Sequence, residues 1–161
     1  MASSNGSKPP ADNAFPDIKI NVLGQFIDDL SFENIAFQQG RMNQTVESEI
    51  EVQVGVDVKK TIDQIYHVVI RLKLSAVTKK ENEALFILEL DYVGMFNVPE
   101  TDEETLKMVL MVECPRLLFP FVRRIASNLT QDAGFPPVNL DPIDFLSLYR
   151  GSAVSEDYVL N

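Results

Sequence analysis

The sequence predicts an α+β fold in which a four-stranded antiparallel sheet packs against a long kinked helix and a shorter C-terminal helix. Three observations carry this expectation. Between Ile18 and Phe96, apolar and polar residues alternate in four successive runs, the period-two pattern of strands. From Thr101 to Gly134 the apolar spacing becomes helical, with a start and a stop signal at its ends. After Asp141-Pro142, the residues Phe145, Leu146, Leu148 and Tyr149 form one more apolar helix face.

The 161 residues suit one domain, expected over 17–150, with flexible tails at 1–16 and 151–161 where Ser, Pro, Asn and Gly leave little to bury. In the first strand, Ile18, Ile20 and Val22 alternate with Lys19 and Asn21, and Gly24 suggests a bulge. The strand resumes to Phe32, with Asp29, Ser31 and Glu33 on one face and Leu30 and Phe32 on the other. Asn34 to Thr45 reads as a loop carrying Phe37 and Met42. The second strand turns Val46, Ile50, Val52, Val54, Val56 and Val58 one way and its acids the other.

The third strand turns Tyr66, Val68, Ile70, Leu72 and Leu74 inward and His67, Arg71 and Lys73 outward, which allows Arg71 and Lys73 to sit across from Glu49 and Glu51. The fourth, from Glu83 to Phe96, carries Ala84, Phe86, Leu88, Leu90 and Tyr92 on its core face. Leu85, Ile87, Val93 and Met95 stand among Glu83, Glu89 and Asp91 on the other. A strand apolar on both faces is seldom left bare, so that outer face is either a subunit interface or a docking face for another protein.

Thr101-Asp102-Glu103-Glu104 reads as a capping box, and Gly134 as the left-handed stop of the helix it opens. Pro115 and Pro120 predict a kink or a break near Cys114. Leu106 to Val122 is apolar on nearly every side, the pattern of a helix buried on two faces, and a partner subunit is the simplest cover for the second one. Leu117, Leu118, Phe121, Val122 and Ile125 are the expected oligomer contacts. Asp141 is the expected cap of the last helix, and Gly151 its end.

Composition excludes several functions. The net charge of -10 would repel a phosphate backbone, and the longest basic clusters, Lys59-Lys60, Lys79-Lys80 and Arg123-Arg124, are too short to bind nucleic acid. Lys107, Glu113, Arg116 and the prolines argue against a membrane span in the long helix. One cysteine permits no internal disulfide, and Met1 to Phe15 lacks the basic start and apolar core of a secretory signal, so a cytoplasmic protein is expected. The lone His67, the lone Cys114 and the scattered glycines form no nucleophile–base pair, metal motif or phosphate loop. The expectation is a protein that is not an enzyme and carries no cofactor.

Two motifs at a characteristic spacing complete the reading. Cys114-Pro115-x-Leu117-Leu118-Phe119-Pro120 lies on the long helix, and Gly134-Phe135-Pro136-x-Val138-Asn139-Leu140-x-Pro142-Ile143-x-Phe145 follows it. Together with Asp29-Leu30-Ser31-Phe32-Glu33 and Ile65-Tyr66-x-Val68-Val69-Ile70-Arg71, they make the chain from Ile18 to Tyr149 resemble SecB, the bacterial protein-export chaperone family. The resemblance implies an ATP-independent chaperone that keeps unfolded precursor proteins translocation-competent and delivers them to the SecA motor. It also implies a homotetramer arranged as a dimer of dimers. The acidic surface on which the family docks SecA corresponds to Asp29, Glu33, Ile87 and Glu89, which strand parity separately places on one outer face. Phe37, Met42, Phe135, Val138 and Leu140, apolar positions outside the regular core elements, are the expected client-binding residues. A purely structural oligomer or adaptor is the alternative from another class.

Overall fold

Alternation with period two produces four strands, β1 (Asn21–Glu33), β2 (Ser48–Lys60), β3 (Ile65–Thr78) and β4 (Ala84–Asn97). The computed structural model describes residues 17–41 and 47–152; Met42, Val46, the tail expected at 1–16 and residues 153–161 of the tail expected at 151–161 lie outside the described residues. The strands form one antiparallel sheet in the order β1-β4-β3-β2. β2, β3 and β4 follow one another as hairpins, while β1 pairs with β4, so the chain crosses the sheet between its two edges after β1.

Register in β1 shifts at two places, between Val22 and Gly24 and between Ile27 and Asp29. The bulge expected at Gly24 is the first. The second gives the strand one more residue than its partner needs, so Ile27 pairs with Tyr92 on the inner face while Asp29 pairs with Asp91 on the outer one. The β2–β3 hairpin closes through Asp63 in a left-handed conformation (φ 43°) and sets Asp57 opposite Val69. That register corrects the expected partners of the β3 cations: Glu49 and Glu51 pair with Val77 and Ser75, and Gly55 and Gln53 stand across from Arg71 and Lys73. The β3–β4 turn falls at the expected place, with Asn82 left-handed at φ 54°.

Helices cover the inner face. The segment expected as a loop after β1 begins instead with a short helix, α1 (Ile35–Gln38), because the Asn34 side chain accepts from the Phe37 amide and Ala36 is buried. The long helix starts one residue later than the capping box implied: Asp102, not Thr101, is the cap, its carboxylate accepting from the Thr105 amide at 2.8 Å. Nor does the helix break at Cys114. It runs as α2 (Glu103–Met108), a π-helical turn (Val109–Glu113) and α3 (Cys114–Asp132). The Cys114 amide donates to the Val109 carbonyl, five residues back, and this wider turn delivers the chain to Pro115 within the first turn of α3, where a missing amide costs least. Gly134 does stop the helix (φ 91°), with the Phe135 amide on the Thr130 carbonyl and the Gly134 amide on the Gln131 carbonyl. α4 (Phe145–Ser152) is capped by Asp144 rather than Asp141 and continues through Gly151 rather than ending there.

α3 packs on β3 and β4, and the π-helical turn reaches β2. Val68, Ile70, Leu72, Leu74, Leu88, Leu90 and Phe96 meet Val112, Leu118, Val122 and Ala126 in one core, closed at the side by Phe145 against Phe119 at 5.6 Å. Cys114 is part of it, and burial pushes its thiol up to about 12, which suits packing and not nucleophilic chemistry. Gly94 leaves no room for a side chain under α3: a Cβ there would lie 2.5 Å from Phe96 and 2.7 Å from Leu118. Gly94→Ala should therefore lower stability by about 1–3 kcal/mol through overpacking, read as a lower urea midpoint at unchanged slope; an unchanged midpoint would show that the helix can lift without cost.

Candidate functional site

The helices do not cover the whole inner face, and what they leave bare is apolar. β2 is an edge strand, and its first half extends past the reach of the π-helical turn. Ile50 and Val52, expected in the core, are therefore 42% and 47% exposed, whereas Val56 farther along is buried. Cross-strand rungs link these two residues to an aromatic cluster: Ile50 to Ala76 to Phe86, and Val52 to Leu74 to Leu88 to Phe32. Phe32 stacks on Phe86 at 5.3 Å, Phe86 lies 4.9 Å from Phe135, and Phe37 meets Phe135 edge-on at 5.6 Å.

Three segments distant in sequence are held together here by specific bonds. Asn34 Nδ2 donates to the Ala133 carbonyl at 2.9 Å, tying the start of α1 to the end of α3. The buried Thr130 hydroxyl donates to the Ala126 carbonyl and accepts from the Val138 amide, both at 2.9 Å, which pins the extended segment after Gly134. Arg41 binds Glu83 at 2.6 Å and the Ala84 carbonyl at 2.7 Å, anchoring the crossing chain to the start of β4. Of the expected client residues, Phe37 and Phe135 are thus in contact and half-buried, while Met42 is outside the described residues. Val138 and Leu140, also expected to bind clients, are buried by the chain itself, because the Thr130 pin turns that segment into the core. The exposure of Ile50 and Val52 went unread in the sequence; its signal is a β2 face that alternates for longer than one helix can cover.

The outer face is built of rungs too. Asp91 pairs with Asp29 on one side and Arg71 on the other, Glu89 with Ser31 and Lys73, and Ile87 with Glu33 and Ser75. The four residues Asp29, Glu33, Ile87 and Glu89 accordingly share one surface. Arg71 lies 3.0 Å from Asp57 and 3.6 Å from Asp91, and Lys73 lies 3.3 Å from Glu89. Burial raises the pKa of the Asp91 carboxyl, the Arg71 guanidinium opposes the rise, and Asp29, Asp28 and Asp57 add to it. One rung on, Phe26, Val93 and Val69 make an apolar end to the acidic field.

A third surface lies over the uncovered inner face of β1. Val22, Ile27 and Leu30 are exposed there, and beside them α3 presents Leu117, 48% exposed. Phe121, half-buried, stacks on Tyr92 at 6.3 Å beneath Arg124. Leu118 and Val122, expected among the oligomer contacts, have no exposed surface and serve the subunit's own core; Leu117, Phe121 and Ile125 remain on the outer side. A cleft of about 650 Å³ between the β2–β3 turn and the residues before α2, lined by Ile62, Asp63, Gln64, Pro99 and Glu100, sits at the far end of the sheet from Phe37 and Phe135. Among the described residues, no group of His, Cys, Asp or Glu could hold a metal ion, and no helix is long and apolar enough to cross a membrane.

The family model described as "Preprotein translocase subunit SecB" matches residues 13–156. The chain belongs to the SecB family. A protein-export protein SecB of Ruegeria sp. is 48% identical over 84% of this chain and 82% of its own length. Another, of Cereibacter sphaeroides, is 47% identical over 93% of this chain and 90% of its own. The SecB fold is shared with a solved structure, the Rv1957 SecB-like chaperone of Mycobacterium tuberculosis in complex with a ChAD peptide from the HigA1 antitoxin. That likeness covers 77% of this chain and 90% of the other at a TM-score of 0.59 and 16% identity. SecB proteins are chaperones of protein export, and the α+β subunit expected from the sequence is the one found.

Asp91 gives this SecB surface a pH signature. A carboxyl whose folded pKa lies above its unfolded value binds more protons in the folded state, so its penalty is full above the folded pKa and vanishes as pH falls below the unfolded one. Asp91→Asn should therefore be no less stable than the parent near neutral pH, with any advantage shrinking as pH is lowered toward 3.8. Thermal unfolding in neutral and in acidic buffer checks this; a clear loss of stability at neutral pH would mean that the Arg71 pair outweighs the crowding.

Proposed function

We propose that this chain is an ATP-independent chaperone that binds unfolded precursor proteins in the cytoplasm and hands them to SecA, acting as a homotetramer built as a dimer of dimers. One observation carries the reading: an apolar track is exposed at Ile50 and Val52 on the open edge strand and is joined through the buried rungs beside it to half-buried Phe37 and Phe135. An extended polypeptide can lay alternate side chains on such a track and pair its backbone with the open edge of β2, which gives affinity without sequence preference. The SecB-like chaperone of Mycobacterium tuberculosis, solved in complex with a peptide, supports the binding of a polypeptide as such.

The bare inner face of β1, with Leu117, Phe121 and Ile125 beside it, is the surface a second copy would cover. Asp29, Glu33 and Glu89 around Ile87 would steer a partner with a basic patch and hold it partly through the apolar centre. SecA is that partner in this reading.

Two measurements test it. Ile50→Ser/Val52→Ser should weaken capture of a denatured polypeptide about thirtyfold, since each side chain adds roughly 1 kcal/mol of apolar burial on binding. Equal capture by the variant would place the track elsewhere, and equal capture of the folded form would point to a structural adaptor. For docking, Glu89→Lys should weaken SecA binding in a calorimetric titration and make what remains less salt-sensitive. Full-strength binding by an Asp29→Lys/Glu89→Lys variant of unchanged assembly mass would show that the docking face is misplaced.

A further inference from the structure

The acids of the outer face are not equivalent. Among the described residues no cation lies within ion-pair distance of Asp29 or Glu33, but Lys73 Nζ stands 3.3 Å from Glu89 Oε1 on the neighbouring strand. On the next rung Arg71 is held between Asp57 and Asp91. β3 thus runs a line of two cations through the middle of an acidic field: Glu89, Asp91 and Asp57 beside it are compensated, while Asp29 and Glu33 on β1 are not.

The two cations are held differently. Arg71 has carboxylates on both sides, and its planar fork suits a fixed place. Lys73 has one ion-pair partner among the described residues, Glu89 on the same rung, and both side chains are about half exposed (49% and 57%). A pair this open to water adds little to folding, so its chief effect is on what approaches the face.

We propose that Lys73 is a specificity-determining residue of the docking face: a built-in competitor that occupies Glu89 and lowers the affinity of any basic partner. This rests on the reading of that face as the SecA site. A basic group that takes Glu89 must first displace the Lys73 ammonium, and the displaced ammonium then repels it. The uncompensated acids Asp29 and Glu33 receive the partner first, and Glu89 engages only a group that competes with lysine at short range. Lys73 therefore trades binding strength for discrimination and for release.

The test is a calorimetric titration of SecA against the parent, Lys73→Gln, Lys73→Arg and Glu89→Lys, at low and at high salt, each with a check of assembly mass. Lys73→Gln should bind roughly two- to fivefold tighter at low salt, the size expected for one exposed ion pair, with a steeper salt dependence. Lys73→Arg should stay near the parent. In a Glu89→Gln background, the gain from Lys73→Gln should shrink. Unchanged or weaker binding by Lys73→Gln, alongside the expected weakening by Glu89→Lys, overturns the role of Lys73 and leaves the docking face standing. Full-strength binding by Glu89→Lys overturns the docking face, and this proposal with it.

Discussion

The long helix meets the sheet over a position with no side chain. Leu118 fills the space where a Cβ of Gly94 would be, and Phe96 closes it from the same strand. That contact seats α3 over β3 and β4, and the rest of the inner face inherits its coverage from there. A helix is about 10 Å wide, whereas four strands at roughly 4.8 Å spacing make a broader floor. One helix centred on the middle strands therefore leaves an edge bare on each side: the face of β1 on one and the first half of β2 on the other. The two apolar surfaces of the subunit are consequences of one seating.

Much of this was legible from residue order. Alternation marked all four strands, Gly24 marked a bulge and Gly134 a helix stop, because each reflects a local backbone requirement that neighbouring residues cannot hide. Caps were read one to three residues off, at Thr101 for Asp102 and Asp141 for Asp144, since several oxygens compete and packing selects among them. The kink or break expected near Cys114 takes the form of a π-helical turn, a solution visible only when the buried neighbours hold the helix together.

The site was legible in a different proportion. Parity alone places Asp29, Glu33, Ile87 and Glu89 on one surface, because a strand offers only two sides. Which cations reach them depends on hairpin register, and register depends on the conformation of Asp63, which the sequence does not announce. Likewise Val138 and Leu140 look like loop residues until Thr130 draws the segment inward, and Ile50 and Val52 look like core until the helix proves too narrow.

The strand order has a consequence for how the molecule comes into being. β1 leaves the ribosome before the other three strands, but among the described residues its neighbour in the sheet is β4, so on the order of 50 residues must follow before the first rung between them can close. At about 5–20 residues per second, Phe26, Ile27 and Leu30 spend seconds with neither strand nor helix to cover them. A protein suited to holding other chains unfolded thus passes through a stage of its own synthesis in which its first strand is such a chain.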